Sequence, residues 1–346
     1  MTMDYHSTTI KEIISRNHKR TLASLLIELT YECNEKCKHC YVPNSWNGRT
    51  QLSLKCLKKI VNDTMEMGCF SFTLSGGEPL TWFDFINLYK YIWNKGGLIS
   101  LFTNTLLISE EHLHLFSKLR PYAIEISLYS NNSEIHDQIT GVKGSFNKTV
   151  KNIRLLKAKG IKLILKSPVM ILNYKDIPNL YQWTKEEFGY HFRYDPHIIP
   201  NLNGEVYPLK LRVSPKEVLK IDRQIPSVVT QLQKEAQAIK RLAHNVNNYN
   251  AYDCYAGRTS LHIDPFGKVK LCGIDPNTFS IYDKSIRDIW DEDIASILEL
   301  KRDENDSCIN CNIRSMCSWC HSLGSLKSED KSFACELAKL RFNEFS

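Results

Sequence analysis

Three cysteines within eight residues, Cys33, Cys37 and Cys40, follow the apolar run Leu25-Leu26-Ile27. The run reads as a strand, and thiols spaced Cys-x3-Cys-x2-Cys on the loop leaving it can converge on one centre and supply soft thiolates to three irons. A four-iron cluster held this way keeps one iron without a protein ligand, and a small molecule can bind and be activated there. The competing readings are a zinc knuckle or three buried core cysteines, although zinc would normally want a fourth ligand close by.

A chain of 346 residues, 42% hydrophobic, is long enough for one large domain or for a medium and a small one. Met1 to Arg20 is polar and mixed in charge, with no apolar stretch long enough for a signal peptide or a membrane span, so a cytoplasmic location is the default expectation. In a reducing compartment twelve cysteines suit metal ligation better than disulfides. Ten fall into patterned groups; Cys56 and Cys69 are left over as packing residues. The net charge of +7 is scattered, without the polybasic run or interleaved aromatics of a nucleic-acid binder. A mildly basic surface could attract an acidic peptide or a cofactor carboxylate, or simply be a solvated surface.

From Leu25 to about Pro196 short apolar segments alternate with helix-length amphipathic ones. Strands are expected near Leu25 to Thr30, Cys69 to Leu74, Leu98 to Phe102, Ala123 to Leu128, Ile161 to Met170 and His191 to Tyr194. Helices are expected near Ser53 to Met67, Trp82 to Asn94, Ser109 to Lys118, Ser145 to Lys159 and Ile177 to Phe188. This alternation predicts an α/β fold of parallel strands with crossover helices, and six units rather than eight predict an open partial barrel. In such folds chemistry collects at the carboxyl ends of the strands. Ser75-Gly76-Gly77-Glu78-Pro79 follows the second strand, where paired glycines let backbone approach a ligand closely and Glu78 stands ready for a cation.

Residues 201–250 read as a bridge that could line a substrate groove: Gly204, Pro208 and Pro215 interrupt it, Ser214-Pro215-Lys216-Glu217 looks like a helix start, and Gln231 to Ala243 is helical in pattern. The tail, 251–346, holds Cys254, Cys272, Cys308, Cys311, Cys317, Cys320 and Cys335. Asp264-Pro265-Phe266-Gly267 between alternating Leu261/Ile263 and Val269/Leu271 places Cys272 on a hairpin, and Ser285 to Lys301 reads as a helix. Two Cys-x2-Cys pairs fit a zinc ribbon as well as an iron-sulfur site.

Taken together, the first cysteine motif, with His39 before its last cysteine and Tyr41 after it, and Gly76-Gly77-Glu78-Pro79 downstream closely resemble the radical S-adenosylmethionine (radical SAM) enzymes. The resemblance implies a partial (β/α)6 radical SAM barrel over 25–200, after an N-terminal extension of 1–24. Glu78 would receive the methionine ammonium. Asn104, in Thr103-Asn104-Thr105 where the family usually has Thr-Asn-Gly, and Ser127, in Ser127-Leu128-Tyr129, would lie near the cofactor with Tyr41, Gly76 and Gly77. His136-Asp137 resembles a family His-Asp-x-x-Arg-Gly, but Thr140 stands in the arginine's place, leaving Lys166 as the nearest cation for the methionine carboxylate. The tail resembles the SPASM extension, a small cysteine-rich α+β domain with two auxiliary clusters, one held by Cys308, Cys311, Cys317 and Cys335, the other by Cys254, Cys272 and Cys320. The last close pair is Cys-x2-Cys where Cys-x3-Cys is usual, and no cysteine lies between Cys254 and Cys272, so the second auxiliary cluster would have an open iron for water, His262 or a substrate thiolate.

By that resemblance the cofactors are S-adenosylmethionine and three 4Fe-4S clusters, and the chemistry is reductive cleavage of S-adenosylmethionine to a radical that removes hydrogen from an unactivated carbon. The implied function is a peptide maturase that installs a thioether or carbon-carbon cross-link in a ribosomally made precursor peptide. Its electron donor would be a flavodoxin or ferredoxin. About two dozen residues precede the first strand, too few for a winged-helix leader-binding domain, so a separate leader-binding protein or another surface is expected. Three alternatives stay open. An anaerobic sulfatase maturase would carry an aspartate base directly after the cysteine matching Cys272, where Gly273 stands with Asp275 two residues on. A peptide epimerase would need Cys56 or Cys69 to reach the cleft. A zinc-binding adaptor would not be an enzyme. No residue stands out as a catalytic base.

Overall fold

The computed structural model describes residues 20–46, 51–190, 192–241, 249–326 and 331–346. Residues 1–19 of the expected N-terminal extension lie outside the described residues, as do His191, at the start of the sixth expected strand, and Ala243, at the end of the expected bridge helix. Six strands, β1 (Ser24–Glu28), β2 (Ser71–Ser75), β3 (Leu98–Thr103), β4 (Ala123–Ser127), β5 (Leu163–Pro168) and β6 (Phe192–Asp195), run parallel in sequential order. Crossover helices return between them: α1 (Leu54–Glu66), α2 (Phe85–Asn94), α3 (Glu110–Lys118), α4 (Ser133–Thr140), α5 (Ser145–Ala158) and α6 (Ile177–Phe188). Sequence explains their form. In α1 the Ser53 hydroxyl caps the first turn by accepting from Cys56 N at 3.2 Å, and Leu57, Ile60, Val61 and Thr64 fall on one buried stripe. Helix α4 had no strong periodic signal; it is two turns long, started by Asn132 accepting from Glu134 N and Ile135 N and stopped at Gly141 with φ +70°.

Strand parity sorts the side chains. Leu25, Ile27, Phe72, Leu74, Ile99, Leu101, Ile124 and Ile126 are all at most 1% exposed and form the apolar face. The register puts Glu28 beside Ser75, Phe102 beside Glu125, Ser127 beside Lys166 and Lys166 beside Arg193 on the other face, which is therefore polar.

Two long-range arrangements revise the linear reading of the second half. Strand β7 (Ser260–Ile263) pairs parallel with β1, setting His262 beside Leu26, and β8 (Lys268–Lys270) and β9 (Phe279–Ser280) extend the same nine-stranded sheet antiparallel. The tail hairpin thus continues the barrel sheet instead of forming a sheet of its own. The expected bridge contains α7 (Pro215–Gln224) and α8 (Pro226–Arg241), and their apolar residues Leu219, Leu232, Ala236 and Ile239 share a second core with Met316, Ala338 and Phe345. The bridge packs with the tail because amphipathic helices must cover their stripes, and the C-terminal helix α9 (Ser332–Phe345) does so. Asp222, fully buried, accepts from Arg341 Nε at 2.8 Å and Nη2 at 3.0 Å and from the Tyr194 hydroxyl, tying α9 to the sixth strand. The helix expected over Ser285 to Lys301 runs from Ile286 to Leu298 with a π-type stretch at Ile289–Ile294. Among the described residues no helix is long and apolar enough to cross a membrane.

Candidate active site

The carboxyl ends of the first four parallel strands meet the first cysteine loop. Gly77 N donates to Thr30 O at 2.7 Å and Glu78 N to Glu32 O at 2.9 Å, so the glycine loop runs against the segment that leads into Cys33. A Cβ on Gly76, whose φ is +136°, would sit 2.2 Å from Thr30 O; one on Gly77 would sit 2.4 Å from Glu32 O. The close approach that requires glycine here is chain against chain. Glu78, expected to stand open to a cation, is fully buried and already has three protein donors: Thr103 Oγ1 at 2.8 Å, Asn104 N at 2.7 Å and Leu80 N at 3.1 Å reach its carboxylate, with Thr103 also 3.0 Å from the second oxygen. Burial pushes its carboxyl up to about 7 against those hydrogen bonds.

Asn104 turns its amide to Asn34 Oδ1 at 2.8 Å and lies 3.8 Å from Cys33 Sγ. Thr105 holds φ +69°, a left-handed conformation found at no other non-glycine residue described, and its buried Oγ1 has no partner. The glycine of the family pattern is explained by this backbone. From the fourth strand, Ser127 hydrogen-bonds Tyr129, and Tyr129 Oη lies 3.6 Å from Cys37 Sγ. The ring of His39 packs edge-on against Tyr129 at 5.2 Å, with a buried Nδ1 that has no hydrogen-bond partner among the described residues. Glu35, overlooked in the sequence because it sits between motif positions, is buried and accepts from Cys37 Sγ at 3.2 Å; burial raises its carboxyl to about 7.

Burial pushes the Cys33 thiol up to about 12, the Cys37 thiol well above its ordinary range, and the Cys40 thiol upward. Thiolates so placed need a compensating cation, which suits iron. Cys33 and Cys37 each feel the charge of Cys40, so the three form one group.

Tyr41 donates to Glu28 Oε1 at 3.2 Å and Tyr31 to Glu28 Oε2 at 2.8 Å, while His262 Nε2 lies 3.1 Å from Oε2. His262, considered as a ligand for an open auxiliary iron, lies beside Glu28, and strand pairing is the reason: His262 shares a face with Leu26 and Glu28. Lys166 lies 3.2 Å from Glu125 Oε2 and 3.5 Å from the Phe102 ring centre, and Arg193 Nη2 reaches the same Glu125 oxygen at 2.7 Å. The lysine is paired within the polar face, with Arg193 as a second cation beside it.

In the tail the electrostatic field on Cys317 comes from Cys335, Cys308 and Cys311, whereas Cys320 feels Cys254 and Cys272 feels Cys320. These neighbours place Cys317 near Cys308, Cys311 and Cys335, and Cys320 near Cys254 and Cys272. Asp306 accepts from Cys308 N at 3.0 Å, Lys331 Nζ at 3.0 Å and Arg302 Nη1 at 3.2 Å, and these donors overcome its burial to hold its carboxyl well below the usual range. Among the described residues no three Cys, His, Asp or Glu side chains converge on a single-ion position. Cys69 precedes β2, at the end of the sheet opposite the cysteine loop, and donates to Ser71 O at 3.5 Å; Cys56 lies in the first turn of α1. Cys69 thus lies away from the site, and Cys56 packs against the core.

Residues 27–184 match the radical SAM superfamily model and residues 254–312 the SPASM model, described as an iron-sulfur cluster-binding domain. The antilisterial bacteriocin subtilosin biosynthesis protein AlbA of Bacillus subtilis (strain 168) is 29% identical over 73% of this chain, which spans 55% of that relative. The AdoMet-dependent heme synthase of Methanosarcina barkeri is 26% identical over 85% of this chain and 90% of its own. Streptococcus suis SuiB bound to precursor peptide SuiA superposes with a TM-score of 0.71 at 19% identity, over 95% of this chain and 79% of that one. With cysteine loop and strand ends arranged as described, the chain carries a radical SAM superfamily domain followed by a SPASM domain, and these imply S-adenosylmethionine and iron-sulfur clusters as its cofactors.

Proposed function

We propose that this chain is a peptide maturase: it abstracts hydrogen from an unactivated carbon of a ribosomally made precursor peptide and installs a thioether or carbon-carbon cross-link. The observation that carries this reading is the division of ten cysteines into three groups, the last with three thiols, leaving a coordination position for a cysteine-bearing substrate. Likeness to AlbA and to peptide-bound SuiB supports a peptide as the substrate. When bound, S-adenosylmethionine and the first cluster supply the one-electron cleavage that yields the hydrogen-abstracting radical.

The chain's own residues do the rest. Cys33, Cys37 and Cys40 hold the first cluster; Cys308, Cys311, Cys317 and Cys335 the second; Cys254, Cys272 and Cys320 the third. Asn104, Ser127 and His39 line the cofactor side of the loop, Gly76, Gly77 and Glu78 fix the loop from beneath, and Lys166 with Arg193 offers positive charge to the methionine carboxylate. Tyr41, beside Cys40, is held by its hydrogen bond to Glu28 on the cofactor side of the loop. A flavodoxin or ferredoxin would supply electrons. Residues 25–200 form the catalytic unit and 201–346 the auxiliary one.

The sulfatase-maturase reading is weaker because Asp275 already accepts from Tyr252 and Ser322 and is buried, so it is not poised as a base. The heme-synthase relative favours one rival, a porphyrin substrate. Anaerobically reconstituted enzyme separates them: turnover of S-adenosylmethionine should rise with a short peptide encoded beside this gene, with two hydrogens lost from the peptide. No rise with any neighbouring peptide refutes the proposal, and conversion of an added porphyrin favours the rival.

A further inference from the structure

We propose that Asp275 is the positioning residue that assembles Cys254, Cys272 and Cys320 into one cluster site. This rests on the reading that those three thiols share a cluster. They lie on three segments far apart in the chain, and no strand or helix pairs all three. Each segment instead sends one group to the same carboxylate. Tyr252, two residues before Cys254, donates its hydroxyl to Asp275 Oδ2 at 2.8 Å, and Ser322, two residues after Cys320, donates to that oxygen at 2.7 Å. Asp275 itself closes the turn after Cys272, its N–H donating to Cys272 O at 3.2 Å, while Oδ1 accepts from Asn277 N at 2.9 Å and Nδ2 at 3.0 Å.

Tyr252, Asp275 and Ser322 are each at most 3% exposed. A carboxylate so buried persists only with its lone pairs matched, and hydrogen bonds to a charged acceptor are the strong kind, so the three-way junction is stiff. Ser322 Oγ also lies 4.0 Å from Cys272 Sγ, so the hydroxyl oriented by Asp275 sits against the thiol of a second segment. His321 packs edge-on against Tyr252 at 5.1 Å and completes the clamp. A carboxylate cannot donate to a cluster sulfur, so Asp275 acts through Tyr252 and Ser322. Its negative charge bears on both Cys272 and Cys320.

The test uses the full chain, anaerobically reconstituted, with iron and sulfide counted, an iron chelator added, and the reduced clusters followed by electron paramagnetic resonance. Asp275→Ala should make about a third of the iron, one cluster of three, roughly 10- to 100-fold more easily removed by the chelator, leaving the other signals intact. Tyr252→Phe combined with Ser322→Ala should reproduce that loss. Asp275→Asn keeps the volume but removes the charge, so iron it retains at this site should show a raised reduction potential, which a merely structural role would not produce. Full iron retention in Asp275→Ala with unchanged signals and potential overturns the proposal. Cys254→Ala or Cys320→Ala losing no iron overturns the cluster reading beneath it, which is a separate result.

Discussion

Replacing Glu28 by alanine removes the carboxylate met by the buried Tyr31 and His262 and the half-buried Tyr41, and should be among the most damaging single changes in the barrel. Glu28 is 2% exposed, and its carboxylate meets Tyr31 at 2.8 Å, Tyr41 at 3.2 Å and His262 at 3.1 Å. Removing one partner of a buried charged cluster costs about 3–5 kcal/mol, a large share of the roughly 5–15 kcal/mol that holds a domain together. Tyr41→Phe removes one bond to a charged acceptor, about 1.5–3 kcal/mol. The two losses overlap, so in the Glu28→Ala background Tyr41→Phe should cost almost nothing, a coupling of about 1.5 kcal/mol or more. Burial by itself would raise the Glu28 carboxyl, but the charge and hydrogen bond of His262, the Tyr31 hydroxyl and Lys270 outweigh it and hold the group below 4.5. A carboxyl lowered by folding adds stability that is complete above about pH 5 and is lost as pH falls through the folded value; Glu28→Gln should abolish that acid-side slope. Urea unfolding followed by tryptophan fluorescence, on preparations of matched iron content, measures both effects. Additive costs for Glu28→Ala and Tyr41→Phe, or a change below 1 kcal/mol for Glu28→Ala, would refute the shared-acceptor argument.

Thr105→Gly should stabilise the chain by about 1 kcal/mol, since relief of a left-handed β-branched residue and of an unpaired buried hydroxyl exceeds the added freedom of glycine in the unfolded chain; thermal unfolding beside Thr105→Ala checks this. Gly77→Ala should cost cluster retention, because the new Cβ would meet Glu32 O at 2.4 Å; iron content after reconstitution reports it. Glu78, raised on folding from 4.5 to about 7, binds more protons folded than unfolded in that window, so its contribution to stability should decline as pH rises from about 4.5 to 7; a pH series of unfolding midpoints, flat over that window, would contradict this. Cys69→Ala and Cys56→Ala should leave cleavage of S-adenosylmethionine and product mass unchanged, and loss of activity in either would revive the epimerase reading.

Most of the architecture is written locally. Apolar runs between capped amphipathic helices specify six parallel strands, and cysteine spacing specifies where soft ligands gather, since both depend on residues within a few positions of one another. Helix α4 escaped because two turns carry too little periodicity. What the linear pattern leaves undecided is which distant groups meet. Only the pairing of β7 with β1 turns His262 toward Glu28, only the approach of the glycine loop to Thr30 and Glu32 shows what Gly76 and Gly77 make room for, and only the three-segment junction at Asp275 gives that carboxylate a task. The reason is physical: strand parity and loop closure are settled when the chain buries its apolar faces, and a buried carboxylate then takes whichever donors that packing brings to it.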